Sequence, residues 1–114
     1  MNIRHFGMTV KDLRKTETTF VALGFAVISR GRENKEFMKK LCGEECTCTW
    51  VKLEDEDGTV IEFAKYNPDI GVKFHMSVSV KKIEDYNVKE FATNHNKRKI
   101  KYQPYEGIML ELVQ

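Results

Sequence analysis

The passage Ile3-Arg4-His5-Phe6-Gly7-Met8-Thr9-Val10-Lys11-Asp12-Leu13 has an echo, Lys73-Phe74-His75-Met76-Ser77-Val78-Ser79-Val80-Lys81-Lys82-Ile83, at a constant offset of 70 positions (75 − 5). Histidine falls on histidine, Met8 on Val78, Val10 on Val80, Lys11 on Lys81 and Leu13 on Ile83. A second echo follows: Gly58-Thr59-Val60-Ile61-Glu62-Phe63 matches Gly107-Ile108-Met109-Leu110-Glu111-Leu112 at an offset of 49 (111 − 62). The second copy is therefore 21 residues shorter between its landmarks (70 − 49). The repeat predicts a single α+β domain over 1–114. Its two βαβββ-type modules, about 1–66 and about 72–114 with the second shortened, form a curved mixed sheet around a cleft. Each module buries a helix-facing side of its sheet and leaves the other side free to curve.

Working outward, residues 3–10 alternate, with Phe6, Met8 and Val10 on one parity and His5, Gly7 and Thr9 on the other. That is a half-buried strand. Asp12 is placed to cap a helix that carries Leu13, Thr16, Phe20 and Leu23 and stops at Gly24. Residues 25–29 read as a second strand. Residues 30–45 form a polar excursion in which Phe37, Met38 and Leu41 mark one short amphipathic turn, closed by Gly43. Residues 46–53 and 59–64 read as a hairpin around Asp57-Gly58. Asn67-Pro68-Asp69-Ile70-Gly71 is the linker between modules. Residues 72–80 alternate again, 84–94 carry Tyr86, Val88 and Phe91 in a helical segment, and 100–105 and 108–113 are strands around a Glu106-Gly107 turn.

Composition narrows the classes. The chain has 114 residues, 41% hydrophobic and 32% charged, an ordinary globular balance. A net charge of +2 demands neither a nucleic-acid nor a membrane partner. No apolar run reaches the roughly 18 residues of a transmembrane helix. The opening Met1-Asn2-Ile3-Arg4-His5 does not read as a secretory signal. Cys42, Cys46 and Cys48 are odd in number and closely spaced, so a disulfide framework is not expected and a cytoplasmic location fits. They lack the second cluster of a closed zinc site and read as small buried or half-buried thiols on a strand.

Alternation also sorts the polar residues. His5 lies opposite the Phe6 parity, Glu62 opposite Ile61 and Phe63, His75 opposite Met76 and Val78, and Glu111 opposite Leu110 and Leu112. A lone histidine or glutamate on a strand is usually just a polar group on a wet face. Two of each, at matching places in both modules, point instead to one convergent site. Two imidazoles and two carboxylates suit one divalent transition metal, with nickel or zinc first and manganese, iron or cobalt as further choices. Trp50 and Lys52 share a parity opposite Val51 and Leu53. Trp50 reads either as a cleft wall or as a core or dimer contact. Lys52 reads either as a greeter for an anionic substrate or as a surface lysine. His95, in Asn94-His95-Asn96-Lys97-Arg98-Lys99, reads as part of a solvated loop.

On these residues the chain resembles the vicinal oxygen chelate superfamily, which includes glyoxalase I, methylmalonyl-CoA epimerase, extradiol dioxygenases, and fosfomycin-resistance and bleomycin-binding proteins. The carriers are His5, Asp12-Leu13, Leu23-Gly24-Phe25, Asp57-Gly58 with Ile61-Glu62-Phe63, His75 and Glu111. The order His5, Glu62, His75, Glu111 is similar to the metal ligands of bacterial glyoxalase I. Epimerases usually carry glutamine at the place of Glu62. The chain departs from the family in its Pro104-Tyr105-Glu106-Gly107 turn, and in Thr9, where glyoxalases often place a basic residue for glutathione.

The resemblance implies a metal-dependent lyase or isomerase that shifts a proton through an enediolate on a small 2-oxoaldehyde thiol adduct. Glu111 is the implied base and Glu62 the second candidate. The alternatives are an epimerase of a CoA thioester and a non-catalytic protein that sequesters a small molecule such as an antibiotic. The partners expected are a small-molecule substrate and a second copy of the chain. The homodimer follows because related two-module chains commonly pair, and the short second module leaves sheet edges and cleft walls incomplete.

Overall fold

A computed structural model describes residues 2–71, 73–105 and 108–114. The first module runs β1 (Asn2–Thr9), α1 (Leu13–Ala22), β2 (Ala26–Glu33), α2 (Lys35–Cys42), β3 (Thr47–Glu54) and β4 (Val60–Asn67). The second runs β5 (Phe74–Ser79), a 3-10 turn (Ile83–Tyr86), β6 (Ala92–Thr93), β7 (Lys99–Tyr105) and β8 (Ile108–Val113). All eight strands form one sheet in the order β2-β3-β4-β1-β5-β8-β7-β6. The α+β class and the duplicated architecture expected from the repeat are present.

The order contains the repeat. In each half the leading strand pairs in parallel with the last strand, β1 with β4 and β5 with β8. The next neighbours pair antiparallel, β4 with β3 and β8 with β7. The halves meet where β1 runs antiparallel to β5. Each module's leading strand thus lies at the middle of the sheet, and this brings His5 and His75 together.

On the outer face α1 covers the first module. The Asp12 carboxylate accepts a hydrogen bond from the Lys15 amide at 2.9 Å, and Gly24 leaves the helix at φ 104°. Phe20 packs on Phe63 and Phe25, with Val51 and Leu53 fully buried beneath. The second module differs from expectation. No helix spans 84–94; the 3-10 turn ends at Asn87, which takes a left-handed φ of 60°, and the chain returns as β6. Lys82 supplies no side-chain cap, so nothing anchors a longer helix there. Ile83 and Val88 instead cover Val78, Val80 and Leu112 directly. The outer surface around the module boundary is left bare. Phe6, expected in the core, is 41% exposed beside Phe74 at 45% and Ile3 at 61%.

The 30–45 excursion is more ordered than its composition suggests. β2 continues past Ser29 to Glu33 because β3 offers a full antiparallel partner. Gly31 sits against the Trp50 indole, where a Cβ would overlap the ring. Asn34 then caps α2, its side chain accepting from the Phe37 amide at 2.8 Å, and Gly43 ends the helix at φ 79°. Two turns, not one, bury Met38 and Leu41 on the inner face with Cys46, Cys48, Tyr66 and Ile100. Burial of each stabilises the fold by roughly 1.5–3 kcal/mol. α2 therefore plugs one end of the cleft. The three thiols are free, but only Cys48 lies on a strand; Cys42 ends α2 and Cys46 precedes β3, because the helix extends further than its composition suggests. The Glu106-Gly107 turn and Val72 lie outside the described residues.

Candidate metal centre

The inner-face parity holds for all four residues. His5, Glu62, His75 and Glu111 are buried, at 4%, 8%, 4% and 8% exposure. Across the sheet they come from four adjacent strands, β1, β4, β5 and β8. The two Nε2 atoms of His5 and His75 lie 3.2 Å apart. His5 Nε2 is 3.5 Å from Glu111 Oε1 and 3.8 Å from Glu62 Oε2, and His75 Nε2 is 3.6 Å from Glu62 Oε1. One ligand atom each from His5, Glu62 and His75 falls within a 4.8 Å cluster. Glu111 adjoins that cluster through His5.

Local sequence explains how the imidazoles fit. Gly7 lies directly opposite His75, and a Cβ there would overlap the ring. His5 lies opposite Ser77, whose fully buried hydroxyl has no hydrogen-bond partner among the described residues. β1 also bulges. Ile3 pairs with Val78 and His5 with Ser77, leaving Arg4 as an extra residue. A bulge re-aims side chains. It lets Ile3 face outward and His5 inward although both are odd-numbered, and it brings Arg4 to the inner cavity beside them.

Burial sets the protonation states. It pushes His5 down to about 3, helped by Lys52, His75 and Arg4. It lowers His75 as well, with Lys52 adding and Glu111 opposing. Both rings are therefore neutral near pH 7, the form that offers a lone pair to a metal. Burial, followed by the neighbouring Glu111, raises Glu62 to about 8, against the pull of Lys52. A divalent ion would relieve that desolvation.

The spacing also suits an ion. Two nitrogens each about 2.0–2.1 Å from one metal lie roughly 3 Å apart, close to the observed 3.2 Å. His5, Glu62 and His75 could form a metal site, with small adjustments of the carboxylates.

A cavity of about 170 Å³ opens over the cluster. Glu62 and Glu111 form its floor, and Trp50, Phe37, Met38, Leu41 and Tyr102 supply apolar wall. Trp50 lines this cavity and also packs against the buried cluster around Met38 and Leu41, so it is both cleft wall and core contact. Its indole N–H points at Glu33 Oε1, 3.5 Å away. Lys52 lies 3.8 Å from Glu62 Oε2 and 5.3 Å from the centre of the Trp50 ring. His95 is in an exposed turn, as read, yet it and its asparagine neighbours line the cavity mouth.

Sequence reasoning missed three participants. Arg4 is hidden because a bulge leaves no mark in an alternating pattern. Tyr102 sits directly opposite Glu111, with its ring centre 5.1 Å from that of His75. Counting alternation forward from Ile100 would have found it. The walls from α2 were hidden in a segment read as a polar excursion.

No protein-family sequence model matches the chain, and no curated protein sequence does. A solved structure does: a glyoxalase family protein from Bacillus cereus aligns over 99% of this chain and 93% of its own, with a TM-score of 0.53 and 15% identity. At that identity the likeness establishes the fold. The eight-stranded, curled, duplicated sheet is that of the glyoxalase, or vicinal oxygen chelate, architecture.

Proposed function

We propose that His5, Glu62, His75 and Glu111 together hold one divalent metal, nickel or zinc in preference to manganese, iron or cobalt. The chain then acts as a glyoxalase-like lyase or isomerase on a small 2-oxoaldehyde thiol adduct. The observation that carries this reading is the approach of two neutral imidazole nitrogens to 3.2 Å, with both carboxylates within 3.5–3.8 Å of them. A bound metal supplies Lewis acidity to two neighbouring substrate oxygens. The protein does the rest. Glu111 takes the proton from the carbon beside the carbonyl and returns it to the adjacent carbon. Glu62 is the second candidate for that role. Trp50 and the α2 side chains keep water from the site, which strengthens a carboxylate as a base.

Metal analysis of untagged protein, before and after loading with nickel or zinc, tests the first half. Hydrogen–deuterium exchange at the carbon beside the carbonyl of a methylglyoxal–thiol adduct tests the second. Glu111→Gln should retain measurable metal and lose exchange by about 100- to 10,000-fold. Wild-type exchange in Glu111→Gln, with loss in Glu62→Gln, would move the base to Glu62. Metal uptake without exchange on any thiol adduct would favour sequestration, and exchange confined to a CoA thioester would favour an epimerase.

The same reading includes a homodimer. It is supported by the uncovered Ile3, Phe6 and Phe74 at the module boundary. Sedimentation at micromolar concentration should give twice the chain mass, and a monomer would refute pairing. Among the described residues no helix is long and apolar enough to cross a membrane.

A further inference from the structure

We propose that the cavity selects small anionic ligands, with a carboxylate-class group held between Lys52 and Arg4 while two neighbouring oxygens face the histidine–glutamate cluster. This rests on the metal reading above and adds the charge and size of what the site accepts.

Charge comes first. The charged side chains lining the cavity are Arg4, Lys52, Glu33, Glu62 and Glu111, with His95 at the mouth. A divalent metal with two neutral imidazoles and two carboxylates sums to zero. Arg4 and Lys52 then outnumber Glu33, and the space above the centre carries net positive charge. Lys52 forms a long ion pair with Glu62 Oε2 at 3.8 Å, without a hydrogen bond among the described residues, so its ammonium donors stay open to a ligand. Its side chain is 24% exposed, enough for its ammonium group to turn to a ligand. Arg4 is available by construction: the β1 bulge turns it to the inner face, where a regular strand would point it outward beside Phe6's neighbours. No carboxylate lies within salt-bridge distance of Arg4 among the described residues.

Size comes second. The volume of about 170 Å³ falls below the roughly 300–1,000 Å³ of drug-sized sites. α2 causes this by seating Met38 and Leu41 inside the cleft. Trp50 and Tyr102 add aromatic wall to the same cavity. A compact acid with a planar or short apolar body fits, and an elongated peptide or nucleotide adduct would have to project out of the mouth.

The test uses a matched pair, 3,4-dihydroxybenzoate and 3,4-dihydroxybenzamide. Both carry two adjacent oxygens on a flat ring, and only the first carries the anion. Zinc uptake is measured first by metal analysis, so that failure of the metal reading is seen separately. Each probe is then titrated into zinc-loaded and metal-free protein by calorimetry and by Trp50 fluorescence. The acid should bind the zinc-loaded protein about tenfold or more tightly than the amide, as expected for a charge-assisted pair. Lys52→Met and Arg4→Met, each checked for zinc content and folding by circular dichroism, should each shrink that ratio. If zinc is not taken up, the metal reading fails separately; three carboxylates then face Lys52 and Arg4, so the acid's preference should be smaller than in loaded protein, and Lys52→Met and Arg4→Met should still reduce it. Equal affinities in both forms, no binding of either probe, or a full preference in both variants would overturn the proposal.

Discussion

The two modules reach the same site with different neighbours. In the first, Lys52 stands directly across from Glu62; in the second, Tyr102 stands directly across from Glu111. In the first, Gly7 makes room for the other module's histidine; in the second, the matching residue is Ser77. A ten-residue helix covers the first module's outer face, where the second has four residues of 3-10 turn. The duplicated frame fixes where the four polar groups stand, and the unshared neighbours set how each behaves. Glu62 works beside a cation. Glu111 faces an aromatic ring and His5 instead.

The largest effect should come from removing that shared frame's imidazoles. His5→Ala and His75→Ala should each weaken zinc or nickel binding by more than the 10- to 100-fold typical of losing an outer-shell partner. The double variant should hold no stoichiometric metal. Calorimetric titration reads this directly. If one single variant kept full affinity, the modules would not contribute equally and the convergent centre would be refuted.

A smaller effect separates the modules by pH. In metal-free protein, Glu62 binds its proton more tightly folded than unfolded, about 8 against 4.5. The folded state therefore holds more protons than the unfolded one between these values, and stability rises as pH falls from 8. His5 works in the opposite sense. Its folded value of about 3 lies below the ordinary 6.5, so stability is lost as pH falls below 6.5. His75 adds to that loss, with Glu111 moderating it. The metal-free protein should be most stable near pH 6.5. Urea unfolding at pH 5, 6.5 and 8 measures this. Glu62→Gln should flatten the alkaline arm and steepen the acid arm, because between 4.5 and 6.5 Glu62 opposes the loss caused by the histidines. A curve that rises steadily to pH 8 would contradict burial of Glu62 as a largely protonated acid.

Much of this was readable in the chain. The repeat revealed the modules, and period-2 alternation placed His5, Glu62, His75 and Glu111 on one face, because a strand repeats every two residues whatever covers it. Alternation does not report where a strand bulges, so Arg4 stayed hidden. Nor does it decide whether an apolar face acquires a cover. Tyr86, Val88 and Phe91 have helical spacing, but the chain turns at Asn87 and packs Val88 directly on the sheet. Phe6 was misplaced for that reason. α2 was underestimated because its burial depends on contacts with β6 and β7, far along the chain.

The finest contrast between the modules is Gly7 against Ser77. Gly7→Ala places a methyl into the His75 ring, so the imidazole or the β1 backbone must move. Such overpacking costs about 1–3 kcal/mol, and metal affinity should fall with it because His75 loses its aim. Ser77→Ala removes a buried hydroxyl that makes no hydrogen bond among the described residues. Its removal leaves no partner stranded, so stability should change by less than about 1 kcal/mol or rise slightly. Urea unfolding and zinc titration of both variants make the comparison. Equal, large losses would mean that the Ser77 hydroxyl supports His5 or Glu111, its neighbours on either side in the sheet, once the metal is bound. A loss of zinc affinity in Ser77→Ala with stability unchanged would place that support in the loaded site alone. A harmless Gly7→Ala would mean that His75 does not depend on the close approach of β1 and β5, and that the two modules hold their histidines by different means.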